Sequence, residues 1–151
     1  MSDVLEITYD KFIFHVKTDC LYTREGFWAR VENQTATVGV TDFQQKIMGD
    51  VAYLGTVDPG TLVRQGQAFG QIETIKATAD ILSPVSGKVT SVNPQMQESP
   101  FLINQDPHGA GWIYRIELAN LSDDMKGLIN AEAYCEFMKD KLEKEARKQH
   151  G

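Results

Sequence analysis

At 151 residues, 42% of them hydrophobic and 24% charged, the chain is long enough for one domain with a real core and too short for two ordinary ones. No run approaches the roughly 18 apolar residues of a membrane span. The formal charge of −6 argues against nucleic acid as a partner, because phosphate binding needs clustered Lys and Arg.

The N-terminal MSDVLEITYDKF has acids where a secretory signal would be basic, and no apolar stretch follows, so a cytoplasmic protein is expected. In VLEITYDKFIFHVKTDC the alternation of Phe12, Phe14 and Val16 reads as one strand. FWARV and TATVGV read as a β-hairpin turning over Glu32 to Thr35. The pattern then breaks at TDFQQKIMGD, where Thr41 as N-cap, Gln44 three residues on and Gly49 as C-cap predict a short helix with a capping box.

From Val51 to Asn93 short β-type runs are punctuated by Asp-Pro-Gly, Gly66, Gly70, Ser-Pro and Ser-Gly, the pattern of a compact barrel or sandwich. PFLINQDPHGAGWIYRIEL begins as loop and ends as a strand in which Trp112, Tyr114 and Ile116 share one parity. Helix follows: Ser122 is placed as the cap of a segment reaching Ile129. Asn130 starts another, with Tyr134, Phe137, Met138 and Leu142 at helical spacing. The charged residues 139–151 read as a solvated helical tail that frays at its end.

Few residues offer chemistry by themselves. Cys20 and Cys135 are far apart with no CxxC, and Cys135 sits in a helical apolar pattern as a buried small hydrophobe. His15, His108 and His150 lack metal-ligand spacing. His108, in a Gly-rich loop, and His150, in the tail, read as bland surface or loop residues, and no metal is expected. Neither a phosphate loop nor a catalytic triad is visible. One echo stands out: GTLVRQGQAFGQIE and ADILSPVSGKVTSV each carry strand, Gly-containing turn and strand. They flank ETIKATAD and place Lys76 at the tip of the hairpin joining two similar halves. An exposed lysine on a turn ordinarily does no more than stay in water.

The run GQIETIKATADILSPVSGKV resembles the lipoyl-lysine hairpin of the lipoyl carrier family. Biotin carriers share the architecture but flank their lysine with methionines, whereas Ile75 and Ala77 stand here. The resemblance continues from about Tyr22 to Met138, through YTREGFWARVENQTATVGVTDFQQKIMGDVAYL, NPQMQESPFLINQDPHGAGWIYRIEL and LINAEAYCEFM, in the order and spacing of glycine cleavage system H proteins. Glu73, Gly70, Asp80, Pro84, Gly87 and Asn93 fall where that family has them.

This resemblance implies a mainly β, barrel-sandwich hybrid fold with short flanking helices and a C-terminal helix. Residues 1–138 would form the H-protein-like carrier domain, with 1–20 as an extra N-terminal strand, and 139–151 the charged tail. It implies a non-catalytic carrier, monomeric because it must visit several enzymes, with lipoic acid amide-linked to Lys76 by a lipoate-protein ligase or lipoyl transferase. Glu73, Asp80 and Gly70 would mark the hairpin for recognition.

The family usually reads Ser-His-Glu before its tryptophan. That Ser and Glu, with the Asp four residues after the lysine, hold the aminomethyl-loaded arm in a cleft. Here the three positions are Glu25, Gly26 and Phe27, while Asp80 is present. A phenyl ring cannot accept a hydrogen bond from a cationic amine, so an arm cleft of Glu25, Phe27 and Asp80 should bind that cargo less well. Phe27 packing beside Trp28 is the plainer alternative.

With the added N-terminal strand, these departures resemble the lipoate-binding proteins of heterodisulfide-reductase-like sulfur oxidation. They imply a sulfur cargo and a heterodisulfide-reductase-like complex as partner. The alternative is the H subunit of glycine cleavage, whose arm passes an aminomethyl group among the P, T and L proteins. Cys20, next to the departing segment, is a candidate for thiol exchange with the dithiolane.

Overall fold

The computed structural model describes residues 3–150, the side chains of residues 149 and 150 excepted, so the expectations for His150 and for the chain end fall outside it. Two antiparallel sheets enclose the main core. The larger runs in the order β3 (Leu21–Tyr22), β4 (Phe27–Glu32), β5 (Thr35–Val40), β11 (Tyr114–Leu118), β10 (Gly87–Val92), β7 (Leu62–Val63). The smaller runs β6 (Val51–Thr56), β8 (Ala68–Thr74), β9 (Thr78–Leu82). Val38, Phe69, Ile72, Ile81, Val89, Tyr114 and Ile116 fill the space between them, each full burial of a large apolar side chain contributing about 1.5–3 kcal/mol. This is a barrel-sandwich hybrid, as the resemblance implied.

The echo in the sequence is visible in the pairing: β8 pairs with β9 and β7 with β10, so the two strand-turn-strand units lie against each other. Tyr114 ties the sheets together. Its hydroxyl donates to Phe69 O at 2.5 Å and accepts from Val57 N at 3.0 Å, which fastens a central strand of one sheet to the chain of the other.

The N-terminal segment is two strands, not one. β1 (Val4–Tyr9) and β2 (Phe12–Lys17) form a hairpin reversing at Asp10, which takes φ +55°; Asp tolerates that region. The outer edge of β2 is closed by side chains rather than by a strand: Asp42 accepts from His15 N and Lys46 donates to Ile13 O at 2.6 Å. Helix α1 (Asp42–Met48) supplies both residues. Phe14 and Val16 point into a second core with Tyr22, Trp28, Phe43, Tyr134 and Met138.

α1 has the predicted caps. Thr41 Oγ1 accepts from Gln44 N, and the Gly49 amide donates to Gln45 O. Only half of the capping box forms, because the Thr41 amide is taken by Gly26 O. Two expectations are corrected further along. Inside the stretch read as loop lies α2 (Leu102–Gln105), four residues without a side-chain cap and so without a sequence signal. The cap of α3 (Leu121–Asp124) is Asn120, accepting from Asp123 N, rather than Ser122. Helix α4 (Ala131–His150) starts where expected, with Asn130 Oδ1 accepting from Ala133 N, and buries Tyr134, Cys135 and Met138 on one face.

Candidate functional site

Lys76 stands in the turn between β8 and β9, and Thr74 builds that turn. The Thr74 amide donates to Ala77 O at 2.9 Å, while Thr74 Oγ1 accepts from the amides of Lys76 and Ala77 at 3.2 and 3.1 Å. Local hydroxyl bonds of this kind let a chain reverse without glycine. Sequence reading passed over Thr74; its signal was a Thr two residues before an exposed turn residue.

The lysine is exposed, and its ammonium forms no hydrogen bond or ion pair among the described residues. The side chain lies over the end of α1: a Cβ added to Gly49 would stand 3.1 Å from Lys76 Cε. A free ammonium on an open turn, with its stem on a bare backbone, fits an amide-linked arm, since acylation there costs no existing contact.

Glu73 opposes Thr78 and Asp80 opposes Gln71 across the hairpin. Ile72, between Gln71 and Glu73 on β8, points into the core, so Glu73 and Asp80 share the outward face as diagonal neighbours, about 7–8 Å apart. Gly70 is at the root of the hairpin. β8 carries one extra residue there relative to β9. Gly70 takes φ +134°, and a Cβ on it would fall 2.5 Å from Gly55 O and 2.8 Å from the Tyr114 hydroxyl. It is the glycine of a β-bulge.

The three departing residues separate. Glu25 is exposed and lines a cleft of about 200 Å³ with Thr23, Gln65, Gly66, Leu82, Ser83 and Gly127. Leu82 is two residues beyond Asp80, on the same face of β9, so one strand face runs from the lysine turn past Asp80 to this cleft. Phe27 is 6% exposed and joins the main core with Phe69 and Ile81. Trp28 points the other way, its Nε1 donating to Val40 O and Pro107 O, both at 3.0 Å. Phe27 therefore packs on the opposite face from Trp28 rather than beside it. Gly26 has φ +98°, and a Cβ there would come within 2.7 Å of the Gln44 side chain.

His108 is not a surface residue: it is 7% exposed, packs against Trp28 and Tyr22, and its Nε2 has no partner. Burial pushes it down to about 4. Cys135 is buried as expected. Cys20 is 3% exposed, and burial, aided by the Asp19 carboxylate, pushes its thiol up to about 12; a buried, protonated thiol is unsuited to exchange with a dithiolane. No group of three or more His, Cys, Asp or Glu among the described residues could hold a metal ion. None of the helices searched among them is long and apolar enough to cross a membrane. A concavity of about 760 Å³ between β7, β10 and α3 is lined by Gly87 but by none of Lys76, Glu73, Asp80, Gly70, Glu25 and Phe27.

Comparison with known proteins bears on these features. The family model described as glycine cleavage H-protein matches residues 20–141. A probable glycine cleavage system H protein of Pyrococcus abyssi is 42% identical over 127 residues, 83% of this chain and 94% of its own length. The glycine cleavage system H protein of Rubrobacter xylanophilus is 43% identical over 80% of this chain and 92% of its own. A probable H protein of Aeropyrum pernix is 38% identical over 142 residues, 94% of this chain and 99% of its own, an alignment long enough to take in part of the hairpin before residue 20. Among solved structures, a glycine cleavage system H protein from Mycobacterium marinum superposes with a TM-score of 0.70 at 26% identity, covering 79% of this chain and 95% of that one. With a family match over residues 20–141 and relatives of this identity aligned along nearly their whole length, the chain belongs to the glycine cleavage H-protein family, whose members are non-catalytic carriers with a lipoyl group covalently attached to a lysine.

Proposed function

We propose that Lys76 bears the lipoyl group and that the chain is the H subunit of a glycine cleavage system, its arm moving an aminomethyl group from glycine decarboxylase to the aminomethyltransferase. The observation that carries this is the naming of relatives 38–43% identical as glycine cleavage H proteins. When bound, the group supplies a disulfide that is reduced as cargo is taken up at sulfur. The chain supplies the tether, a hairpin stiffened at both ends, and the high effective concentration that a tether gives. A lipoate-protein ligase or lipoyl transferase would attach the group, reading Glu73 and Asp80 on the outward face. The P, T and L proteins would then act on the arm in turn.

Two carboxylates suit a cationic aminomethyl cargo. Asp80 and Glu25 lie along one face of β9 and its adjoining cleft, and either can accept charge-assisted hydrogen bonds from an ammonium. Phe27, turned into the core, neither helps nor blocks. The sulfur cargo drew its case from the Glu25-Gly26-Phe27 replacement and from the N-terminal segment, and the Aeropyrum alignment, which takes in part of that segment, weighs against the second as a distinction.

Intact mass of protein made in lipoate-replete cells tests the attachment: a lipoyl increment is expected and should vanish in Lys76→Arg. Lipoylated protein, glycine and glycine decarboxylase should then give an aminomethyl-loaded form. In Glu25→Gln and Asp80→Asn that form should lose its cargo faster. A lipoylated protein that never accepts the aminomethyl group would return the case to the sulfur cargo.

A further inference from the structure

We infer that Gly49, the residue ending α1, is a seat for the hydrocarbon stem of the arm on Lys76, separate from the Glu25 cleft. This rests on Lys76 being the acylated residue. The Lys76 side chain does not project freely from its hairpin. It lies across the unsubstituted face of Gly49, where a Cβ would stand 3.1 Å from Cε and 3.6 Å from Nζ. The contact is between alkyl carbon and backbone, not between charges, so it persists when the ammonium becomes an amide.

Glycine suits the position on two counts. The backbone takes φ +87°, ψ −166°, a region that side chains avoid, and a Cβ would crowd the stem at 3.1 Å from Cε. The floor beneath is held firmly. Asn104 Nδ2 donates to Gly49 O at 2.9 Å and to Gln45 Oε1 at 3.1 Å, while its Oδ1 accepts from Val51 N at 2.9 Å. One side chain of α2 thus fixes the segment that runs from α1 into β6.

Apolar surface adjoins both partners in the chain: Ile75, 80% exposed, precedes Lys76, and Ile47, 46% exposed, stands two residues before Gly49. A hydrocarbon stem laid on Gly49 would cover part of this surface, which water otherwise meets. The seat shares no residue with the Glu25 cleft. An arm without a cationic cargo has no use for the carboxylates and rests at the end of α1.

The test compares amide spectra of isotope-labelled protein in three states of verified mass: unmodified, octanoylated and lipoylated at Lys76. The Gly49 and Asp50 amides and the Asn104 side-chain amide should shift in both acylated forms, with Overhauser contacts from arm methylenes to the Gly49 α protons. Shifts confined to residues 74–78 would overturn the seat. In lipoylated Gly49→Ala the contacts should vanish, and reduction of the dithiolane by a small phosphine should quicken about two-fold if the seat is half occupied. An unchanged rate and unchanged contacts would overturn it as well. Mass separates the two ideas: a missing increment refutes the assignment of Lys76, whereas a present increment without remote shifts refutes only the seat.

Discussion

Asp42 Oδ2 accepts the backbone N–H of His15 at 2.9 Å, and through this bond the N-terminal hairpin is joined to the first turn of α1. The same carboxylate receives Lys46 Nζ at 3.0 Å and Gln45 Nε2 at 2.9 Å. Burial alone would raise the Asp42 carboxyl; the His15 amide, Lys46 and Gln45 outweigh it and hold it below the usual value. Asp42→Ala should cost about 2–3 kcal/mol, since it leaves donors of a buried charged acceptor unpaired. The stabilisation by the ionised form is complete above the unfolded value of about pH 4 and is lost as pH falls through the lowered folded value. Denaturant titrations should therefore give a constant gap between wild type and Asp42→Asn from pH 7 to about 5, closing below about 4.

His108 gives a second pH dependence, in a separate window. Its imidazole is held to about 4 by burial, against about 6.5 in the unfolded chain. Between these values the unfolded chain binds the extra proton, so stability is full above about pH 6.5 and declines as pH falls toward 4, by about 3 kcal/mol in all. His108→Phe should flatten that part of the profile while leaving in place the bond that the Arg30 guanidinium donates to the carbonyl of residue 108. A variant with the wild-type slope between pH 6.5 and 4 would show that His108 is not its source.

Gly26 and Gln44 should prove coupled. Gly26→Ala combines left-handed strain, about 1–2 kcal/mol, with a contact of 2.7 Å to the Gln44 side chain. Thermal melts should show Gly26→Ala the more destabilised in the Gln44 background than in Gln44→Gly, with a coupling of about 1 kcal/mol in a double-mutant cycle. The residue that stands where the family usually has histidine is thus dictated by a neighbour on α1. Restoring the glutamate of the family triplet by Phe27→Glu would bury a carboxylate in the main core and should unfold the protein rather than rebuild an amine site.

Cys20 should resist alkylation. With its thiol protonated and buried, iodoacetamide at pH 8 should label it only at the rate of unfolding, in the presence or absence of a lipoyl arm. Rapid labelling of the native protein would reopen a redox part for this residue.

These particulars show what can be read from residues alone. The lysine hairpin was legible because its flanks repeat, and α1 because Thr41 and Gly49 are strong local signals. The N-terminal hairpin was missed because its turn at Asp10 uses no glycine, and the apolar alternation of Phe12 to Val16 does not report where the preceding strand ends. His108 was misplaced for a different reason: a Gly-rich loop has no period, so nothing local tells that Trp28 and Tyr22 close over it. Phe27 and Trp28 sit on opposite faces, as alternation alone requires, yet which face met the main core depended on the partner sheet. The seat at Gly49 joins residues 49 and 76, and only the folded chain brings them together.

The Tyr114 hydroxyl, bonded to Phe69 O and Val57 N, sets a boundary on motion. It anchors the root of the lysine hairpin to the central sheet beside the Gly70 bulge, and the Thr74 bonds lock the other end. An arm on Lys76, as proposed, is thereby left to move by the rotatable bonds beyond the Lys76 backbone, which sweep a sphere of fixed centre. Enzymes that share this carrier must each bring their reaction centre to that one sphere, and they must take turns.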